Sequence, residues 1–149
     1  MRTLMVMVGL FTVAGLGSSA SLTVDVLKNK EATANKLVGT WKLVSAQYGG
    51  QESVLPKDAT TLKHMTPTQY MWATYDKDGQ VSRTAGGPYT FNGEVLESTP
   101  EYGFGPDFEA IKGKRQSYKC KVEDNKWHQS GTLSTGTTLE EVWERVEKK

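Results

Sequence analysis

The candidate acid–base and nucleophilic side chains are His64, His128, Arg83, Glu97, Glu101 and the single thiol, Cys120. General acid–base catalysis needs such groups within hydrogen-bond reach of one substrate, and these lie on separate segments. His128 sits in KWHQS, where strand alternation puts it opposite Trp127, so a Trp127 facing inward turns His128 outward. His64 stands beside Met65, just ahead of the bend at Thr66-Pro67. Cys120, in RQSYKCKVED, alternates onto one face with Tyr118 and Val122 and reads as a small buried hydrophobe. One cysteine with two separated histidines lacks the paired ligand spacing of a zinc site. Neither a nucleophile elbow nor a phosphate loop occurs, so no metal, cofactor or catalytic residue is expected. A lone cysteine also forms no intramolecular disulfide.

The aromatic residues offer a different chemistry, that of binding. Tyr70 and Trp72 share a face in the run Thr68 to Tyr75; Gln116, Tyr118, Cys120 and Val122 share one in Lys114 to Val122; Trp127 and Gln129 share the next. In the closing run, Leu139, Glu141, Trp143 and Arg145 alternate with Glu140, Val142, Glu144 and Val146, and neither face is cleanly apolar. An interior walled by Trp and Tyr with a few polar groups suits an amphipathic small molecule, whose apolar area supplies affinity and whose polar contacts fix orientation. The candidate lining is Tyr70, Trp72, Gln116, Tyr118, Trp127, Trp143 and Arg145. Plain core packing of the same residues is the alternative.

The elements that must position these groups begin after an export signal. Arg2 precedes an uncharged stretch from Leu4 to Leu16, too short for a membrane span of roughly 20 residues and the right length for a signal-peptide core. Ser18-Ser19-Ala20 supplies the small residues of a cleavage site after Ala20. Residues 1–20 are therefore expected to be removed, leaving a secreted or periplasmic protein with no cysteine at the new terminus to carry a lipid anchor. Residues 21–36 are polar and read as a tether or short helix, and residues 37–149 as one β domain.

Within that domain, short runs rich in Val, Thr, Tyr, Trp and Phe alternate with turn signals. Strands are expected at Thr40 to Tyr48, Leu62 to Met65, Thr68 to Tyr75, Gln80 to Thr84, Tyr89 to Phe91, Glu94 to Thr99, Lys114 to Val122, Lys126 to Leu133 and Thr138 to Val146. Asp76-Lys77-Asp78-Gly79 and Asn92-Gly93 mark hairpins, and Ala85-Gly86-Gly87-Pro88 marks a corner. Gln51 to Thr61 reads as a loop with one helical turn. Pro100 to Gly113 reads as an irregular loop over a barrel mouth, or as a grip for another exported protein. Short consecutive hairpins favour an up-and-down antiparallel barrel of about 8–10 strands over a Greek-key sandwich. With 18 basic and 17 acidic residues interspersed along the chain, no basic cluster recruits a nucleic acid.

Gly39-Thr40-Trp41 resembles the Gly-x-Trp signature opening lipocalins and echoed in fatty-acid-binding proteins, together the calycins. The fuller run, GTWKLVS, MTPTQYMWATYD, GQVSRTAGGPYTFNG, ESTPEYG and EVWERV, is similar to the lipocalin-like domains of secreted bacterial proteins of unknown function. The resemblance implies a barrel whose Trp41 closes one end and packs against an arginine from the far end of the chain, the role Arg145 would fill. It also suggests an anion-holding role for Arg145, since Trp143-x-Arg145 reverses the Arg-x-Tyr order of fatty-acid-binding proteins. It suggests a cavity, which the residue pattern would fill with a small hydrophobic or amphipathic ligand, and it brings in as lesser alternatives isomerase or dehydratase chemistry, or haem held by His64 or His128.

Overall fold

A computed structural model describes residues 36–54 and 57–147; the expected leader, and all but the last residue of the expected tether or helix, lie outside them. The strands are β1 (Gly39–Tyr48), β2 (Gln51–Glu52), β3 (Ala59–Met65), β4 (Gln69–Asp76), β5 (Val81–Phe91), β6 (Val95–Ser98), β7 (Tyr102–Phe104), β8 (Gln116–Glu123), β9 (Lys126–Thr132) and β10 (Thr138–Arg145), with one short helix, α1 (Phe108–Ile111). Hydrogen bonding runs β1-β3-β4-β5-β6-β8-β9-β10, and β10 pairs back onto β1. Eight strands thus close an all-antiparallel, up-and-down barrel, while β2 and β7 add short pairings to β1 and β5.

Hairpin chemistry sets the register. Asp76 accepts the backbone N–H groups of Asp78 and Gln80 on its carboxylate, and Gly79 takes φ 78°, so the β4–β5 turn follows from Asp-x-Asp-Gly. At the β5–β6 turn, Asn92 is the flank rather than part of the tip: its N–H bonds the carbonyl of Val95 while its side chain accepts the N–H groups of Glu94 and Val95.

Closure between β1 and β10 puts Trp41 opposite Arg145. The guanidinium lies 4.1 Å from the Trp41 ring centre and donates to the carbonyls of Val38 at 2.9 Å and Lys36 at 2.7 Å. The Trp41 indole, fully buried, donates to the carbonyl of Leu37. Any Cβ on Gly39 would lie 2.6 Å from a guanidinium nitrogen, so the glycine of Gly-x-Trp is the gap through which Arg145 reaches Trp41. Above this floor the core contains Leu43, Met65, Tyr70, Tyr89, Phe91, Leu96, Trp127 and Trp143.

Three local expectations are corrected. Ala85-Gly86-Gly87-Pro88 is not a corner but the middle of the unbroken β5. Its glycines are there for close approach: a Cβ on Gly86 would strike the Tyr102 ring and one on Gly87 would lie 2.0 Å from the Thr99 carbonyl oxygen. Gln51 to Thr61 contains no helical turn among its described residues, since Gln51 and Glu52 pair with β1 and β3 already begins at Ala59. Pro100 to Gly113 is more ordered than expected, forming β7 on β5 and then α1, whose Phe108 is buried.

Gly87→Ala is expected to destabilise the protein by about 3 kcal/mol, because a carbonyl cannot move aside as a side chain can. Gly136→Ala, where φ is 88° but the space is open, should cost only about 1 kcal/mol. Urea midpoints of the two variants check the order.

Candidate functional site

Inside the barrel lies a cavity of about 620 Å³. Trp127 and Trp143 form its deep wall, Trp127 resting edge-on against Trp41 with ring centres 5.5 Å apart. Leu43, Met65, Tyr70, Trp72, Leu96, Tyr118 and Leu139 continue the wall upward. Ser53, Val54, Arg83, Thr135, Thr137 and the α1 residues Ala110 and Ile111 stand at the other end. Val54 there is 88% exposed, an apolar side chain left in water at the rim.

A charged pair sits within this apolar space. Lys63, on β3, alternates onto the inward face with Thr61 and Met65 and is 6% exposed. Its ammonium lies 3.9 Å from the Trp143 ring centre and 4.6 Å from that of Trp127, donates to Gln129 Oε1 at 3.3 Å, and stands 3.9 Å from Glu141 Oε2. The Glu141 carboxylate is more fully engaged: Oε1 accepts the Tyr48 hydroxyl at 2.7 Å, and Oε2 accepts Gln129 Nε2 at 2.7 Å and Trp143 Nε1 at 3.0 Å. Burial, opposed by Glu141, holds the Lys63 pKa below the ordinary lysine value. Burial and then Glu141 raise the Tyr48 and Tyr118 hydroxyls well above the usual tyrosine range, and burial pushes Tyr70 up to about 12.

Tyr48 reaches Glu141 through a bulge. The β1–β10 register shifts between Leu43 and Ser45, leaving Val44 extra and half exposed. Trp41 and Leu43 face in before the bulge and Ala46 after it, so the inward phase moves by one residue and carries Tyr48 to the cavity.

Of the candidate lining, Tyr70, Trp72, Tyr118, Trp127 and Trp143 meet around the cavity. Gln116 and Arg145 do not line it, and that expectation is corrected. Gln116 is buried beyond the wall, where its amide donates to the Lys114 carbonyl and Ser134 Oγ and accepts the Ser134 N–H. Arg145 is consumed by Trp41 and two carbonyls at the closed end, so it has no anion to hold in the cavity. The acid–base set does not converge. His64 is exposed beside Thr40, Glu97 pairs with Arg115 outside, Glu101 is exposed and Arg83 reaches only the mouth. Neither histidine lines the cavity, so neither offers haem an axial ligand there. Cys120 is buried; burial pushes its thiol up, partly offset by the Trp127 indole.

Lys63, Glu141, Gln129 and Tyr48 are the site residues absent from the expected lining. Alternation did put Glu141 on a face with Leu139 and Trp143, and Gln129 with Trp127. Lys63 carried the same signal, two residues before Met65.

Fold and cavity together define a closed lipocalin-like barrel. No family model matches the chain, and no curated protein matches it in sequence. Among solved structures, it is similar to a lipocalin-like protein from Bacteroides uniformis, with TM-score 0.52 and 14% identity over 74% of this chain and 99% of that one. It is also similar to a redesigned β-barrel, with TM-score 0.50 and 18% identity over 77% of this chain and 96% of that one. These likenesses concern the fold.

The bonding around the charged pair is lopsided, and the two partners should respond differently to removal. Glu141→Leu leaves the Lys63 cation with one amide partner and should cost about 3–5 kcal/mol. Lys63→Met leaves Glu141 with three donors and should cost no more than about 1 kcal/mol; urea unfolding of both variants that gives the reverse order refutes this asymmetry. The depressed Lys63 pKa means that the unfolded chain binds the extra proton as pH rises toward the ordinary lysine value. Wild-type stability, measured by urea unfolding at increasing pH, should therefore gain on Lys63→Met as pH rises toward the ordinary lysine value of 10.5.

Proposed function

We propose that this protein is an exported binder of a small amphipathic molecule, which it holds inside the barrel. The observation that carries the reading is the cavity itself: about 620 Å³ of apolar-walled space containing one buried charged pair. A barrel serving only as a structural or interaction module gains nothing by leaving that volume empty, since each missing side-chain contact forfeits stability. The volume lies within the range of small-molecule sites, roughly 300–1,000 Å³. Tyr70, Trp72, Tyr118, Trp127 and Trp143 would cover the apolar part of the ligand, and Lys63 would meet its polar end. Export rests on the apolar core of residues 4–16 and the small residues before Ser21.

The alternative of a solid barrel gripping another exported protein through residues 100–113 has less support. That segment turns inward, Phe104 and Phe108 joining the cavity wall, although Tyr102 and Phe104 stay about half exposed.

Native mass spectrometry of protein purified from its own host is expected to show a stoichiometric small-molecule adduct. Tryptophan emission, to which the cavity residues Trp72, Trp127 and Trp143 contribute, should change saturably with at least one member of a panel of fatty acids, retinoids and haem. Protein that emerges ligand-free and is indifferent to the whole panel overturns the reading.

A further inference from the structure

Lys63 is the one buried lysine among the described residues, and its nitrogen is poorly provided for as a cation. It has a single hydrogen bond, at 3.3 Å. The Glu141 carboxylate, 3.9 Å away, lies outside hydrogen-bond distance and is held by three shorter bonds from other donors. The remaining surroundings of the ammonium include two indole rings and the open cavity. Burial weakens its hold on the proton. An amine so placed presents a lone pair to whatever electrophile enters the void, which is the condition under which lysines become nucleophiles.

Building on the ligand-binding reading above, we propose that Lys63 condenses reversibly with a small apolar aldehyde lodged in the cavity and holds it as a protonated imine. The ammonium first gives one proton to a water molecule that enters from the cavity mouth, since Glu141 lies beyond hydrogen-bond distance. The freed lone pair then bonds to the carbonyl carbon as the carbon–oxygen π pair moves to oxygen, and a second proton passes from nitrogen to that oxygen. The resulting carbinolamine loses its hydroxyl as water, taking a proton back from hydronium at the mouth, while the nitrogen lone pair forms the C=N bond. The sum is ammonium plus aldehyde to iminium plus water, with no oxidant or reductant. Charge is conserved, so the pairing with Glu141 and the faces of Trp127 and Trp143 serves the iminium as it serves the ammonium. Water leaves through the mouth, and its return releases the aldehyde.

The test uses the full chain, nonanal as the probe and 1-nonanol as the analogue that cannot condense. After cyanoborohydride reduction, peptide mapping should find Lys63 alkylated at least about tenfold faster than exposed lysines such as Lys42, Lys119 and Lys121. In Lys63→Met the intact-mass adduct should fall to the surface background. Comparing lysines within the wild-type molecule keeps the result independent of how any variant folds. Labelling of Lys63 no faster than that of the exposed lysines overturns the proposal. If 1-nonanol nevertheless quenches tryptophan emission saturably, the amine chemistry falls and the ligand-binding reading stands; if neither compound quenches and Lys63 stays unlabelled, both lose support.

Discussion

At the seam between β1 and β10 the Arg145 guanidinium covers Trp41 and draws in the carbonyls of Lys36 and Val38. Three residue types are needed at once: an indole for the face, a guanidinium with enough donors to stack and bond together, and a glycine at position 39 to let it through. Lysine would stack but has no planar fork to span two carbonyls. With the floor sealed, Trp127 has a surface to lean on, Trp143 follows Trp127, and the two indoles define the depth at which Lys63 lies. The cavity is thus built from its closed end upward.

The interior sets affinity against stability. Desolvating a carboxylate and an ammonium costs several kcal/mol each, and well-packed apolar residues would often serve the fold as well or better. Glu141 recovers much of its cost through Tyr48, Gln129 and Trp143, whereas Lys63 recovers little. That inequality makes Lys63 the reactive member of the pair.

The sequence revealed the barrel because its information was local: alternation, the Asp-x-Asp-Gly turn, and Gly-x-Trp with a matching arginine. Five aromatic wall residues were legible for the same reason. The polar centre was harder to see, because Lys63 and Glu141 lie far apart in sequence and a lone lysine between Leu62 and His64 reads as solvated surface until its neighbours at Thr61 and Met65 are placed inward. Tyr48 was hidden by the Val44 bulge, since strict alternation from Trp41 selects Ser45 and Gln47 instead. Gly86-Gly87 misled in the opposite direction. Paired glycines signal a turn in isolation, and only the folded segment after Thr99 explains why side chains are absent there. Arg145 could serve either end of the barrel by sequence, and its register opposite Trp41 assigns it to the closed end.

The seam also orders events in time. Arg145 and Val38 are 107 positions apart along the chain, so the contact that seals the floor carries one of the largest loop-closure costs in the molecule. Hairpins such as β4–β5 and β8–β9 need only neighbouring residues and have a head start. The first strand must wait for the last, and until it arrives both present unpaired backbone edges to solvent. A chain cut short of β10 would lose one barrel wall, the cap on Trp41 and the counter-ion of Lys63 together.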